Sequence, residues 1–331
     1  MRVMLWGDRS VGSGNAAGSF RLGSGILGGV DGAGGTTYDD RIGDEPRGAA
    51  AAAPPVRREL LLIGMGAGDP DWLTLEAVRA IRSIDVLFVV LKEAEYDEPV
   101  LARREVVRRH RDTPLRVVEL RDPPRPWRSA PDYDAAVARW RAQRREQWGA
   151  AVGAELAGGG SGGFLVWGDP GLYESTLAIV EELAAAAPAD RALTVRVLPG
   201  ISSVLALAAR HRIPLNRQGR AVQISPARLV VDGMPAGVDD VVVMLDGRAT
   251  FATIDPEGLD IYWGAYLGSA DEILIAGPLV QVRDEIAAVR AAATERKGWM
   301  FDIYLLRRRQ VTPRRTGSVE AGAISRRRRP G

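Results

Sequence analysis

Gly162-Gly163-Phe164-Leu165-Val166-Trp167-Gly168-Asp169-Pro170-Gly171-Leu172-Tyr173-Glu174-Ser175-Thr176 is the stretch whose reading decides the fold. Phe164 to Trp167 is a short apolar run behind glycines, and it reads as a buried strand. Pro170 fixes its own φ and biases Asp169 away from helix, so Gly168-Asp169-Pro170-Gly171 turns sharply. Ser175 or Thr176 then caps a helix whose apolar positions Leu177, Ile179, Val180 and Leu183 are set against Glu181 and Glu182. A strand ends, a tight loop opens and a helix leaves. In an α/β sheet ligands bind at that end of a strand, although the same pattern also describes an ordinary βα turn.

The same unit occurs on both sides. Upstream, Leu60 to Ile63 is an all-apolar strand, as expected where both sheet faces are covered. Gly64-Met65-Gly66-Ala67-Gly68-Asp69-Pro70 follows, then a helix capped by Thr74 with Leu75, Val78 and Ile81 on one face, and a second strand over Val86 to Leu91. This β-loop-α-β order makes the two strands parallel. The glycines do not fit a dinucleotide fingerprint: the spacing is Gly-x-Gly-x-Gly-Asp, and an acid before the helix repels a pyrophosphate. They still indicate that backbone passes close to something. Downstream, the strand Leu193 to Leu198 ends in Pro199-Gly200-Ile201-Ser202-Ser203, ahead of the helical run Val204 to Ala209. Its two hydroxyls sit at a helix N-terminus, placed to cap the helix or to bind a polar ligand.

Between these units lie a basic helix from Pro99 to Arg111, a strand at Leu115 to Glu119, a Pro-rich loop from Asp122 to Pro131 and a long helix from Asp132 to Leu156. Ile213-Pro214-Leu215-Asn216 reads as a domain connection. Beyond it the pattern predicts strands at Ala221–Ile224, Val241–Leu245, Ile261–Leu267, Glu272–Ala276 and Trp299–Leu306. A short helix is expected near Thr250 to Ile254, and a longer one over Leu279 to Ala293. Closely spaced strands favour a mixed sheet here.

The ends differ in composition. Residues 1–58 hold 13 of the 38 glycines, and residues 309–331 carry seven arginines and one acid with almost nothing apolar. Both suit disorder. The predicted organisation is therefore a disordered Gly/Ala-rich extension (1–58), an N-terminal α/β domain (59–213), a C-terminal α/β domain (214–308) and a disordered Arg-rich tail (309–331). The basic tail accounts for the net charge of +2, and the predicted domains are net acidic. The absence of cysteine excludes thiolate catalysis, disulfides and Cys-ligated metal centres. Only two histidines, His110 and His211, are present, and no metal is expected. No stretch reaches the ~20 apolar residues of a membrane span, and the N-terminus has no continuous signal-peptide core. A cytoplasmic protein with no membrane partner is expected.

Together, Gly64-Met65-Gly66-Ala67-Gly68-Asp69-Pro70 with Leu73-Thr74, Gly168-Asp169-Pro170 with Tyr173, and Pro199-Gly200-Ile201-Ser202-Ser203 resemble the tetrapyrrole methylase family in order and spacing. The likeness spans roughly Leu60 to Leu306. Within the family, four stretches narrow it: Gly163 to Pro170, Val242 to Asp246, Ile261 to Gly268 running into Asp271 to Ile275, and Gly298-Trp299-Met300 with Tyr304-Leu305-Leu306. They resemble the corrin-pathway members that methylate ring carbon C1 of precorrin-5 and release the acyl group at C20 as acetate, giving precorrin-6A.

The resemblance implies a two-domain α/β fold with a mostly parallel N-terminal sheet and a mixed C-terminal sheet. It implies S-adenosylmethionine as methyl donor, bound in a cleft between the domains and leaving as S-adenosylhomocysteine. It also implies a homodimer acting on a small-molecule tetrapyrrole, in cobalamin biosynthesis. Carried over position by position, the donor contacts are Ala67 (where most relatives have proline), Trp167, Gly168, Asp169, Leu172, Ser202, Ser203, Met244 and Gly264.

The chemistry fits such a chain. Methyl transfer to an electron-rich ring carbon is a displacement, and holding sulfur, methyl and carbon in line supplies up to ~7–11 kcal/mol without a cluster of bases. Deacylation needs water added at a carbonyl and carbon–carbon cleavage, which a general base assists. Asp69, Tyr173 and Asp246 in the motif loops are the catalytic candidates, and each also has a structural role open to it: fixing a turn, or packing on ligand. Arg103, Arg104, Arg217 and Arg220 are candidates for substrate carboxylates. Two other readings remain: a family methyltransferase acting on another corrin carbon or on rRNA, the latter favoured only by the basic tail, and a non-catalytic nucleotide-binding module.

Overall fold

The computed structural model describes residues 2–6, 56–91, 98–124 and 131–309. The expectations for residues 7–55 and 310–331 lie outside the described residues. In chain order the elements are β1 (Arg2–Trp6), β2 (Arg58–Gly64), α1 (Leu75–Ser83), β3 (Val86–Leu91), α2 (Glu98–His110), β4 (Leu115–Arg121), α3 (Tyr133–Glu155), β5 (Gly160–Val166), α4 (Thr176–Ala185), β6 (Leu193–Leu198), α5 (Ser203–His211), β7 (Val222–Pro226), β8 (Asp240–Met244), β9 (Leu259–Ala265), β10 (Ile273–Pro278), α6 (Leu279–Lys297) and β11 (Asp302–Arg308).

The first sheet has six strands in the order β1-β4-β3-β5-β2-β6. β3 runs parallel to β4 and β5, and β2 runs parallel to β6, while β1 is antiparallel to β4. Composition over residues 1–58 predicted no folded element, yet Arg2–Trp6 pair residue for residue with Glu119–Leu115. Met4 and Trp6 supply the apolar side chains that an edge strand needs, and Trp6 is 4% exposed. The connection from β2 leads to β3 on one side, and that from β5 leads to β6 on the other. β2 and β5 are neighbours, and their connections leave in opposite directions, each passing over the other strand.

The glycines ahead of Phe164 belong to the strand. A Cβ at Gly162 would lie 2.6 Å from Phe88 Cε2, and one at Gly163 would lie 2.8 Å from Ile84 Cδ1. Phe164 in turn stacks on Phe88 and on Trp148 of α3, each with centroids 5.3 Å apart. The glycines thus make room for an aromatic layer.

The second sheet is mixed, in the order β10-β9-β11-β8-β7: β7 and β8 are parallel and the other pairs antiparallel. Its core holds Trp263, Tyr304, Phe251 and Ile261. α6 covers it through Leu279, Ile286 and Ala293, seven residues apart and so on one helical face. Several boundaries differ from the periodicity by one to four residues, three of them as follows. β9 ends at Ala265 because Tyr266 takes a left-handed backbone (φ 50°). α6 runs on to Lys297, where Gly298 (φ 75°) supplies its left-handed cap. β11 starts at Asp302, not Trp299.

Contacts divide the chain into two units, and the division does not follow the predicted boundary at residue 213. Among the described residues, one holds those up to Ile63, those of Leu75–Leu165 and Tyr173–Leu198; the other holds Gly64–Thr74, Val166–Leu172 and those from Pro199 on. The reason is packing. α5 buries Val204, Ala206 and Leu207 with Val242, Ile303 and Leu305 of the second sheet, and the first two motif loops add Ala67 and Leu172 to the same cluster. None of the described helices is long and apolar enough to cross a membrane.

Candidate functional site

The three Gly-containing loops are held together backbone to backbone. Gly66 and Gly168 form an isolated antiparallel bridge, with Gly168 N–H donating to Gly66 O at 2.8 Å and Gly66 N–H to Gly168 O at 3.3 Å. Met65 N–H donates to Val166 O at 2.8 Å. A Cβ on Gly64 would lie 2.5 Å from Gly200 N, and one on Gly200 would lie 2.1 Å from Gly168 O. What the backbone of these glycines passes close to is therefore the backbone of the neighbouring loops. Gly68 does the same toward the second sheet, where its Cβ would meet Leu267 O at 2.5 Å.

Gly168 is different. Its φ is +70°, a left-handed value that glycine adopts without strain. A Cβ there would find only Ser202 Cα, at 3.8 Å. This backbone is open on one side, beside the N-terminus of α5. Ser202 is the N-cap of that helix in extended conformation, and its hydroxyl makes no capping bond; Ser203 opens the helix. The N-cap of α5 thus lies beside the open side of Gly168, and a helix N-terminus carries free N–H groups and a positive dipole end.

Asp169 ties the loops together. Its Oδ1 accepts the Gly171 N–H at 2.7 Å and its Oδ2 accepts the Gly200 N–H at 2.9 Å. Ala67, Leu172 and Met244 meet in one apolar cluster with Val204, Leu207, Val242 and Leu305. Gly264 backs that cluster, since a Cβ there would lie 2.9 Å from Leu207 Cδ1. Trp167 packs edge-on against Phe301 with centroids 5.4 Å apart, and its Nε1 is buried with no acceptor among the described residues. All nine predicted donor contacts therefore lie in the second unit.

The three catalytic candidates sit differently. Asp69 Oδ1 accepts the Asp71 N–H at 2.8 Å, while Asp69 O accepts from Trp72, so this residue shapes its own turn. Asp246 is 5% exposed. Its carboxylate accepts from the Arg248 N–H (3.0 Å), the Thr250 N–H (2.7 Å), the Thr250 hydroxyl (3.0 Å) and the Tyr304 hydroxyl (2.8 Å). Burial, first, and then Asp246 push the Tyr304 hydroxyl far above its usual pKa, so it stays a donor. Tyr173 is 47% exposed with a left-handed backbone (φ 52°), and it belongs to the first unit.

Two of the carboxylate-binding candidates have other partners. Arg217 Nε reaches Asp240 at 3.3 Å, and Arg220 reaches Asp239 at 3.4 Å, at the end of β8 opposite Met244. Buried Asp240 has a second partner in Arg307, at 2.6 Å. The sequence reading overlooked Phe301, placed inside a strand, and Glu174. The latter caps α4 by accepting the Thr176 N–H at 2.7 Å and the Thr176 hydroxyl at 2.6 Å; Ser175 makes no side-chain cap. A glutamate two residues before the first helical residue was the available signal.

Comparison with known proteins agrees with this arrangement. Residues 59–283 match the family model of the tetrapyrrole (corrin/porphyrin) methylases. A precorrin-6A synthase [deacetylating] of Sinorhizobium sp. is 42% identical over 254 residues, covering 76% of this chain and 95% of the relative. The crystal structure of a putative cobalamin-synthesis-related protein from Corynebacterium diphtheriae superposes with a TM-score of 0.67 at 29% identity, covering 77% of this chain and 100% of that one. The chain belongs to the tetrapyrrole methylase family.

Proposed function

We propose that the chain is an S-adenosylmethionine-dependent methyltransferase of cobalamin biosynthesis, methylating C1 of precorrin-5 and releasing the C20 acyl group as acetate to give precorrin-6A. The observation that carries the reading is the convergence of Ala67, Leu172 and Met244 on one apolar cluster beside the open backbone of Gly168. The 42% identity to a precorrin-6A synthase supports the choice of acceptor.

The residues fit the donor. A Cβ at Gly168 would occupy the space beside Ser202, so that space is a cradle which only glycine leaves empty. The orphaned Trp167 Nε1–H is a donor awaiting an acceptor. When bound, S-adenosylmethionine supplies an electrophilic methyl group. Ser202, Ser203 and the α5 N-terminus hold its polar groups, and Met244, Leu172 and Ala67 exclude water around it. By holding the donor in one position these residues would help keep the displacement in line, a substantial source of rate.

For deacylation, the geometry favours turn-holding roles for Asp69 and Asp246, because the Asp69 carboxylate is turned onto its own loop and Asp246 already accepts four hydrogen bonds. Tyr173 remains the candidate acid–base group, with its side chain exposed on the return stem of the central loop. A homodimer is part of the same proposal.

The test is a product ratio. Purified protein is mixed with S-adenosylmethionine and precorrin-5, and acetate is quantified against S-adenosylhomocysteine. One acetate per methyl transferred is expected. Methyl transfer without acetate moves the chain to another corrin carbon, and no methyl transfer refutes the proposal.

A further inference from the structure

A cavity of about 700 Å³ lies in the first unit, at the amino ends of β2, β5 and β6, opposite to the ends that run into the motif loops. Val56, Ala189 and Ala192 give it apolar walls, and Arg57 and Arg58 give it charge. Arg58 is 9% exposed although it opens a strand. Its Nη2 donates to Arg191 O, whereas its Nε is buried and donates to nothing among the described residues. Arg57 beside it is exposed. The acids at this end of the sheet are engaged elsewhere. Glu59 meets Arg196 at 3.4 Å, and Asp190 meets Arg191 at 3.9 Å. Asp85 accepts the Ser161 N–H at 2.7 Å and the Ser161 hydroxyl at 3.0 Å. Neither Arg57 nor Arg58 has a carboxylate within ion-pair distance among the described residues. The Thr194 hydroxyl is engaged too, donating to Arg58 O at 3.1 Å.

We propose that this cavity is a binding site for a small phosphate monoester of the size of a nucleoside monophosphate. The proposal is independent of the reaction assigned above. A buried guanidinium without a counter-ion is costly, and folded proteins normally pair one. Arg58 has no such partner, and its Nε–H is one side of a fork that matches the oxygens of a phosphate. The Arg191 carbonyl holds one end of the guanidinium, so the fork is positioned before a ligand arrives. Charge agrees. Arg57 and Arg58 are two unmatched cations, and a phosphate monoester carries about −1.5 to −2 at pH 7, more than a single carboxylate can supply. Volume agrees as well, since small-molecule sites run from ~300 to ~1,000 Å³. The apolar walls leave room for the organic body behind the phosphate.

Titration calorimetry on the full-length protein tests the site, with saturating S-adenosylhomocysteine present so that the donor site is filled. The probes are AMP, adenosine and inorganic phosphate. AMP is expected to bind and adenosine is not, while inorganic phosphate should bind about tenfold more weakly than AMP. Arg58→Gln keeps a donor for the Arg191 carbonyl but loses the charge and the fork. It should weaken AMP binding about tenfold, the loss typical of a hydrogen bond to a charged group. Arg57→Gln, at an exposed position, should weaken it about threefold. Ala192→Trp keeps both cations and fills the cavity, so it should weaken AMP about tenfold and leave inorganic phosphate unchanged. It decides the question if Arg58→Gln does not fold. Arg141→Gln, an exposed arginine of α3, is the surface control and should change nothing. S-adenosylhomocysteine affinity, measured separately on each protein, should be the same throughout. A wild type that binds no AMP overturns the proposal, as does equal AMP affinity in wild type, Arg58→Gln and Ala192→Trp. Adenosine binding as tightly as AMP overturns it too, because the phosphate would not be what is recognised. Inorganic phosphate binding as tightly as AMP overturns the monoester, since the organic body would then add nothing. A wild type that shows the expected AMP pattern but binds no S-adenosylhomocysteine refutes the donor site and leaves the phosphate site standing.

Discussion

Asp169 Oδ2 accepts the backbone N–H of Gly200 at 2.9 Å, while the other oxygen of the same carboxylate accepts the N–H of Gly171 at 2.7 Å. One side chain thus fixes its own turn and docks the third loop onto the second. Asparagine offers one oxygen and turns an N–H₂ toward a backbone donor. Asp169→Asn should therefore lose about 1–3 kcal/mol of loop order. The expected result is roughly 5- to 150-fold weaker S-adenosylhomocysteine binding by calorimetry, with the far-UV spectrum intact. Unchanged affinity would mean that the third loop takes no part in the donor site.

The motif glycines separate into two kinds, and substitution distinguishes them. At Gly200 a Cβ would lie 2.1 Å from Gly168 O and 2.8 Å from Gly64 Cα, so backbone must move. Gly200→Ala should cost about 3 kcal/mol or more and appear as a large fall in Tm. Gly168→Trp meets open space beside Ser202. It should cost only the about 1–2 kcal/mol of a left-handed backbone, yet fill the cradle and abolish S-adenosylhomocysteine binding. A Gly168→Trp protein that still binds with wild-type affinity would move the donor site elsewhere.

Much of this was legible in the sequence, and the failures share a cause. Strand-turn-helix units at Leu60, Phe164 and Leu193 follow from local signals: apolar runs, proline after aspartate, hydroxyls before helices. Ranges that depend on partners do not. Gly162 and Gly163 sit in the strand because Phe88, Ile84 and Leu60 occupy the space where side chains would be. Arg2–Trp6 form a strand only because β4 offers an edge. α5 was counted with the first domain by its position in the chain, whereas its buried face belongs to the second sheet. The nine donor positions carried over from the family fall in one unit of the fold, because tight loops with fixed φ leave few arrangements open to them. The catalytic carboxylates were harder, since a sequence does not show which N–H groups a carboxylate already accepts.

Asp246 provides a direct test of that point. Its carboxylate takes four hydrogen bonds, one from the Tyr304 hydroxyl at 2.8 Å. Asp246→Asn should lower stability by about 1–3 kcal/mol, read as roughly 2–4 °C in Tm per kcal/mol. The ratio of acetate to S-adenosylhomocysteine should stay at one in whatever turnover remains. A variant that still transfers methyl but releases less acetate would make Asp246 part of the deacylation chemistry.

His211 sets a pH dependence of known sign. Burial, first, holds its pKa below the ordinary 6.5, against an opposing contribution from the Trp263 carbonyl, which lies 3.0 Å from Nε2. The folded state therefore favours neutral imidazole. Between 6.5 and the depressed folded value, the unfolded chain binds more protons, so stability rises with pH through that window. The benefit is complete above 6.5 and is lost as pH falls through the folded pKa. His211→Gln keeps an N–H for the Trp263 carbonyl but cannot titrate. Thermal unfolding at about pH 5.5 and pH 7.5 should show a larger drop in wild type than in the variant, with the two curves closest at the higher pH. An equal drop in both proteins would place the acid sensitivity on other groups, and burial of His211 at the end of α5 would then carry no protonation cost.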